Sequence, residues 1–413
     1  MFRNKFNLRK VVAIAICLAG TTFFSGCDKE KEGGFSTQSA EVSVVVSELR
    51  NDEYFITSWI NDTKKLDFSI GKSNPIYYNP LFSAFVDNEK NVYVAGTNFI
   101  AEWPYNDGAK LWKNGNVLLE IDGAIDYAPN AVFVSNSKVY VAGRQGNVAT
   151  LWEMNESKSL TDKDNGTYSS NARTVFVSSD NSVYAAGEIG LNKSEQQRII
   201  HNERYYQEIV NGGIFLNIRN WGIVWKNYNE YFRLTDGIDK IIEDGIEDSI
   251  EGIIAYSKHT GRGYENDISI YPLSIYVRNG RTYVAAEVFF GANTCGSGLW
   301  RDNELVYFRK EASFRSIYVT SNDEVHIVGK DNSQRAIAIR WRNGNELSYR
   351  QLTGEGFKND ARFVTVSGST VYVAGTELVD DKPTATLWEN GNPKRLQVNT
   401  NSSSSCAIFV NVK

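Results

Sequence analysis

The 413-residue chain is poor in the side chains on which most hydrolytic and redox enzymes depend: it has 3 histidines, 4 cysteines, 2 methionines and 7 prolines. His201, His259 and His326 show no ligand spacing, so a histidine-built metal centre is not expected. There is no Gly-x-Ser-x-Gly nucleophile elbow and no glycine-rich phosphate loop, which removes the usual signatures of serine hydrolases and nucleotide-binding enzymes. No cofactor, metal or catalytic residue is therefore assigned. Long apolar runs are also missing, since the best of them, Val11 to Phe24, is too short to cross a bilayer. Few prolines, with 42% hydrophobic and 13% aromatic residues, describe a folded domain rather than a low-complexity chain.

The short apolar run has a meaning of its own. Arg3, Lys5, Arg9 and Lys10 precede it and Ser25-Gly26-Cys27 follows, the layout of an export signal. Phe24-Ser25-Gly26-Cys27 resembles the lipobox of bacterial lipoproteins, although that family usually has Leu where Phe24 stands. The resemblance implies that residues 1–26 are a cleaved signal peptide and that Cys27 is acylated, making the lipid the only membrane contact. Residues 27–40, charged and containing Gly33-Gly34, then read as a tether. Loss of the signal removes four cations and no acid, leaving 40 bases against 49 acids, a balance of −9. An acidic domain without a basic stripe is a poor nucleic-acid binder. Cys295 and Cys406 remain, in repeats placed far apart, so buried thiols are expected rather than a bridge.

From residue 41 onward one pattern recurs: aromatic-Val, a polar turn, Val-Tyr-Val-Ala-Gly, a variable stretch, Leu-Trp, then Asn-Gly. It reads Phe85-Val86, Val92–Gly96 and Leu111–Gly115, and again Phe133-Val134, Val139–Gly143 and Leu151-Trp152. Each unit divides into four short apolar runs separated by turn signals, the pattern of one four-stranded antiparallel sheet. Asn114-Gly115, Asn343-Gly344 and Asn390-Gly391 suit the positive φ of a two-residue hairpin turn. Trp59, Trp112, Trp152, Trp225, Trp300, Trp341 and Trp388 end the third strand of each unit and count seven. The first unit lacks its first strand, and Ala407-Ile408-Phe409-Val410 supplies it from the other end of the chain. The expected fold is all-β, a seven-bladed β-propeller of four-stranded antiparallel blades over residues 41–413, closed by N- and C-terminal strands sharing one blade.

Insertions mark the working face of a repeat protein. Between Gly143 and Trp152 there are 8 residues, but between Gly187 and Trp225 there are 37. The larger insertions, 188–221 and 235–271, both connect second to third strands or fourth to first, and those connections lie on one side of the disc. The aromatic residues Trp103, Tyr105, Tyr205, Tyr206, Trp221, Phe289 and Phe290 in these variable stretches are the candidate ligand-binding set, since flat rings on a rim stack on sugars or anchor a protein. Ile238, Ile241, Ile242, Ile246 and Ile250 recur at helical steps in the acidic stretch Asp236 to Glu251, predicting a short amphipathic helix. Asp162 to Gly166 opens like a calcium loop, but Arg173 stands where the closing acid belongs, so a turn is expected.

The Val-Tyr-Val-Ala-Gly and Leu-Trp strands resemble the repeats of uncharacterised bacterial propeller lipoproteins, a resemblance covering residues 41–413. Neither the paired glycines of Kelch repeats nor the Trp-Asp ending of WD repeats is present. The expected role is a non-catalytic binding or scaffolding module that holds a glycan, peptide or envelope protein on its loop-rich face, in an outer-membrane lipoprotein exposed at the cell surface. Two other readings stay open: a propeller-type glycoside hydrolase or lyase, and a scaffold facing the periplasm.

Overall fold

Alternating β-branched and aromatic residues build the strands, and Asn, Asp and Gly reverse the chain between them. The computed structural model describes residues 40–411 apart from 52, 62, 73–82, 100–105, 122–126, 155, 162–166, 192–215, 235–265, 291–292, 355–358 and 397–401. Strands β1 (Glu41–Arg50), β2 (Glu53–Ile60) and β3 (Thr63–Lys72) form one sheet that is completed by β28 (Ser402–Asn411). A second holds β4 (Ser83–Val86), β5 (Val92–Phe99), β6 (Asn106–Lys113) and β7 (Asn116–Ile121). A third holds β8 (Tyr127–Ser135), β9 (Lys138–Gln145), β10 (Val148–Glu153) and β11 (Glu156–Ser159). Next come β12 (Thr167–Val177), β13 (Val183–Leu191), β14 (Leu216–Lys226) and β15 (Asn229–Arg233), which share one sheet with β16 (Asn266–Arg278), β17 (Arg281–Phe290), β18 (Asn293–Arg301) and β19 (Glu304–Lys310). The last two sheets are β20 (Ala312–Val319), β21 (Val325–Asp331), β22 (Ala336–Arg342) and β23 (Asn345–Gln351), then β24 (Asp360–Ser367), β25 (Thr370–Val379), β26 (Lys382–Glu389) and β27 (Asn392–Arg395).

The chain is a β-propeller of four-stranded antiparallel blades. Its first strands β4, β8, β12, β16, β20, β24 and β28 lie each against the next, and β28 lies against β4. The circle is closed by β28 pairing antiparallel with β1, from Glu41 opposite Asn411 to Leu49 opposite Ser402. Five blades stand as separate sheets, where the sequence pattern led to an expectation of seven. The other eight strands are one continuous sheet because Leu216–Asn220 of β14 pairs in parallel with Asn266–Ser269 of β16. The expected insertions are therefore shorter than their sequence bounds: residues 188–191, 216–221 and 266–271 are strand. The stretch from Asp236 to Glu251 and the turn at Asp162–Gly166 lie outside the described residues.

Apolar burial lies between adjacent blades. Tyr93, Ala95 and Leu111 of one blade share a cluster with Val132, Val134, Val139 and Trp152 of the next. Tyr283 and Leu299 do the same with Ile317, Val319, Val325 and Trp341, and Tyr372 and Leu387 with Val42, Val44 and Trp59. The seven tryptophans all lie in third strands and are all buried, so each face of a blade is covered by its neighbour. Cys295 is buried; the side chain of Cys406 is outside the described set.

The hairpin turns carry a second function beyond reversal. At the end of the third strand, Asn114 has φ 51° and its Oδ1 accepts a hydrogen bond from the Val92 N–H, the first residue of β5, at 2.8 Å. Asn61, Asn227 and Asn390 cap the starts of β1, β13 and β25 in the same way, at Val42, Val183 and Val371, and Asp302 caps Thr282. One blade departs from this. Six of the third-strand tryptophans face the residue after Tyr or its equivalent, as Trp112 faces Val94, whereas Trp341 faces Val325, a slide of two residues. A slide of two keeps every side chain on its own face, so the core survives. It carries Asn343 beyond the start of β21, out of reach of the capping position. We expect Asn114→Gly, which retains the positive φ and deletes the cap, to cost about 1 kcal/mol, and Asn343→Gly to be near neutral; urea denaturation of the two variants measures the difference.

Candidate functional site

The second strand of several blades carries a Gly partway along, and the first strand beside it bulges there. Gly187 faces the carbonyl of Asn171, Gly329 that of Ser313 and Gly375 that of Asp360, each so close that a Cβ would collide with it. At these points the first strand carries one residue more than its partner: Asn130 in β8, Arg173 in β12, Leu273 in β16, Arg315 in β20 and Arg362 in β24. A bulge re-aims its extra side chain. Because the first strands form a circle, the five bulges come round its inner wall at one level, at the end from which residues 192–215 and 235–265 depart.

The polar side chains there form a continuous belt. Asn130 Nδ2 donates to Asn171 Oδ1 at 2.7 Å, and Asn171 Nδ2 to Glu188 Oε1 at 3.3 Å. Arg173 grips Glu188 with both Nε and Nη2, at 2.6 and 3.0 Å, while its guanidinium lies 4.9 Å from the centre of the Tyr271 ring. Tyr271 pairs with Glu287 across the sheet. Glu287 accepts from the Ser313 hydroxyl and lies 3.6 Å from Arg315, which is 3.7 Å from Asp360; Arg362 meets Asp360 at 3.3 Å. The acids are the deeper partners: their side chains are 11–15% exposed, against 30–37% for the three arginines. Guanidinium groups, oriented from behind by carboxylates, are thus what this end of the ring offers to a ligand.

A different surface lies toward the opposite end of the same strands. Phe85, Phe133, Phe176, Tyr276 and Tyr318, the aromatic members of the aromatic-Val motif, touch in series at centroid separations of 4.9, 5.3, 4.8 and 5.1 Å. Burial raises the Tyr276 hydroxyl above its ordinary value, and the adjacent Tyr318 adds to the effect. The inner wall is therefore charged at one end and aromatic at the other.

The residues expected to bind ligand from the sequence fall in three groups. Trp103, Tyr105, Tyr205 and Tyr206 are outside the described residues, as are Cys27, His201 and His259. Trp221 is not on a rim: it lies in β14 opposite Ile189, 1% exposed, packed with Ile223, Leu234, Ile268 and Ile270. The assignment of its loop position is corrected by β14 starting at Leu216, five residues earlier. Phe289 lies in β17 and meets Tyr271 edge-on at 5.3 Å, which joins it to the belt; Phe290 is the next residue of that strand, its side chain undescribed. The belt itself was not anticipated, yet a signal exists. Asn171-Ala172-Arg173, Ser313-Phe314-Arg315 and Asp360-Ala361-Arg362 repeat a polar-x-Arg triplet whose Arg falls three residues before Phe176, Tyr318 and Thr365.

His326 stands in β21 where most blades have Tyr, and is 5% exposed. Its Nε2 lies 3.1 Å from Glu324 Oε1, and Arg340 grips the same carboxylate at 2.7 and 3.1 Å. The hydrogen bond with His326, followed by that from Arg340, lowers the Glu324 carboxyl to about 2 despite its burial. A depressed carboxyl contributes stability above its unfolded value and loses it as pH falls toward the folded one. Thermal melts from pH 5 down to pH 2 should thus show an acid-induced loss that Glu324→Gln flattens, while melts at pH 7 should show the variant less stable.

No family model matches the chain, and no curated protein does. Solved structures similar to it include the polysaccharide lyase Uly1, at 7% identity and TM-score 0.43 over 96% of this chain and 95% of that one. Others are apo AztD from Citrobacter koseri (7%, TM-score 0.38, 90% and 98%) and the WD40 propeller domain of Doa1 (10%, TM-score 0.35, 82% and 90%). Likeness at this level concerns fold and brings no activity with it.

Proposed function

We propose that the chain is a seven-bladed, lipid-anchored propeller that binds rather than transforms its ligand, taking a glycan, peptide or protein partner at the bulged end of the ring. The count of seven is supported by treating the eight-stranded sheet as two blades, each with its own buried third-strand tryptophan, Trp225 and Trp300. The observation that carries the binding reading is the belt: Arg173, Arg315 and Arg362, partly exposed, are each oriented by a more deeply set carboxylate. Fixed guanidinium groups suit recognition of carboxylates, sulfates or sugar hydroxyls. Each belt acid already meets a guanidinium or hydroxyl, an arrangement poorer for a proton-donating acid.

The test uses the exported domain on arrays of polysaccharides and peptides. Arg173→Ala with Arg315→Ala is expected to weaken capture by about tenfold or more, with an unchanged circular dichroism spectrum. Undiminished capture would remove the belt from the reading, and release of product from any polysaccharide would replace binding with catalysis. The anchor is tested separately. Cys27→Ser is expected to abolish incorporation of a labelled fatty acid and to release the domain into the soluble fraction. The proposed location is the outer membrane with the domain at the cell surface, so protease added to intact cells should cleave it; protection would favour the periplasm-facing scaffold.

A further inference from the structure

One register position in the second strands divides the blades by charge. Arg144, Glu188, Glu287, Lys330 and Thr376 each pair with the first-strand residue two before the bulge, at Ala128, Asn171, Tyr271, Ser313 and Asp360. Side chains at one register leave equivalent strands on the same face, so Arg144 and Lys330 stand at the level where Glu188 and Glu287 enter the belt. Both are partly exposed. Among the described residues neither meets a carboxylate, and Lys330 donates to the neutral Gln334 Oε1 at 2.8 Å. The three arginines and three carboxylates of the belt balance, so these two cations leave the bulged end positive in a chain whose net charge is −5.

Belt guanidiniums also keep donors to spare. Glu188 takes Nε and Nη2 of Arg173 and leaves the Nη1–Nη2 edge; Asp360 takes only Nε of Arg362, at 3.3 Å. Arg315 stands 3.6 and 3.7 Å from its two acids, outside hydrogen-bond reach. The carboxylates orient the guanidiniums from behind, while the outer N–H groups remain for an oxyanion, which a guanidinium binds as a two-point fork. Positive charge concentrated at one end of an acidic molecule selects anions.

Between the guanidiniums lie amides and hydroxyls, and Leu273 is the one aliphatic side chain among the five bulge residues. Asn130 spends its Nδ2 on Asn171 and on the Ala172 carbonyl, leaving Oδ1 to accept from a hydroxyl. Acids set among hydroxyls are the chemistry of an acidic sugar polymer, whereas a peptide draws its specificity from pockets for the side chains between its acids. We infer, resting on the belt as the binding site proposed above, that its ligand is a polysaccharide whose sugars carry carboxylate or sulfate groups, bound by the belt guanidiniums and drawn in by Arg144 and Lys330.

The probes are polygalacturonate for carboxylate, dextran sulfate for sulfate, dextran as the neutral sugar polymer and polyglutamate as the acidic peptide, titrated calorimetrically into the purified chain. At least one acidic polysaccharide is expected to bind, the two arms telling carboxylate from sulfate, while dextran and polyglutamate bind about tenfold more weakly or not at all. Binding should weaken about tenfold or more between about 0.1 and 1 M salt, as the Debye length falls from about 10 to 3 Å. Arg144→Glu with Lys330→Glu gives two blades the acid that Glu188 and Glu287 already place in theirs, so the fold is expected to hold and acidic-polysaccharide binding to fall about tenfold or more. Dextran or polyglutamate binding as tightly as the acidic polysaccharides would overturn the acidic class; loss of that binding on Arg173→Ala with Arg315→Ala would show that the belt itself still stands. Acidic-polysaccharide binding undiminished in a folded Arg144→Glu, Lys330→Glu protein, or absent at about 10 mM sugar units, would overturn it as well. Should that variant not fold, Arg144→Gln and Lys330→Gln singly, together with the salt dependence, decide the matter.

Discussion

Pairing between β1 and β28 is the constraint on which the rest of this molecule depends. A circle of blades stays closed only while the two ends of the circle hold each other, and here that contact is made by backbone hydrogen bonds within a blade. It joins segments more than 350 residues apart in the chain, a costly closure in entropy that is repaid along ten residues of strand. Once closed, it fixes the first strands against one another, and each interface between blades becomes a small core of valines, leucines and one tryptophan.

The chemistry of the inner wall follows from that geometry. A bulge in one strand would aim one arginine somewhere of no consequence. Bulges at the same height in neighbouring first strands bring Arg173, Tyr271, Glu287, Arg315 and Asp360 into contact across blades that are far apart in sequence. The glycine closing Val-Tyr-Val-Ala-Gly has its structural reason here too, since the bulged backbone leaves no room for a Cβ at Gly187, Gly329 or Gly375. Ala286 occupies the same register opposite Pro272, and nothing in the structure explains why that blade accepts it.

Repetition also makes departures informative. Against five tyrosines, His326 marks a charged network; against four asparagines and one aspartate that cap strands, the slid pairing of β21 with β22 marks a blade held by other means. The parallel contact of β14 with β16 is a departure of a different kind. It joins β12–β15 and β16–β19 into one sheet, between the segments flanking the two longest insertions.

Much of this was legible in the residues alone. Period-two alternation determined that the chain is all-β; Asn-Gly turns and the seven tryptophans determined where strands end; and the copy of a first strand at Ala407–Val410 determined that the chain ends share a sheet. These are local properties, carried by backbone preference and by which face of a strand is apolar. Trp221 was misplaced because an aromatic between two repeats reads alike whether it sits in a loop or in an extended strand, and only pairing with Ile189 distinguishes them. The belt was decided by tertiary structure for the same reason. Contact between Arg315 and Glu287 is a relation between neighbouring blades, set by ring closure and inter-blade packing rather than by any run of adjacent residues.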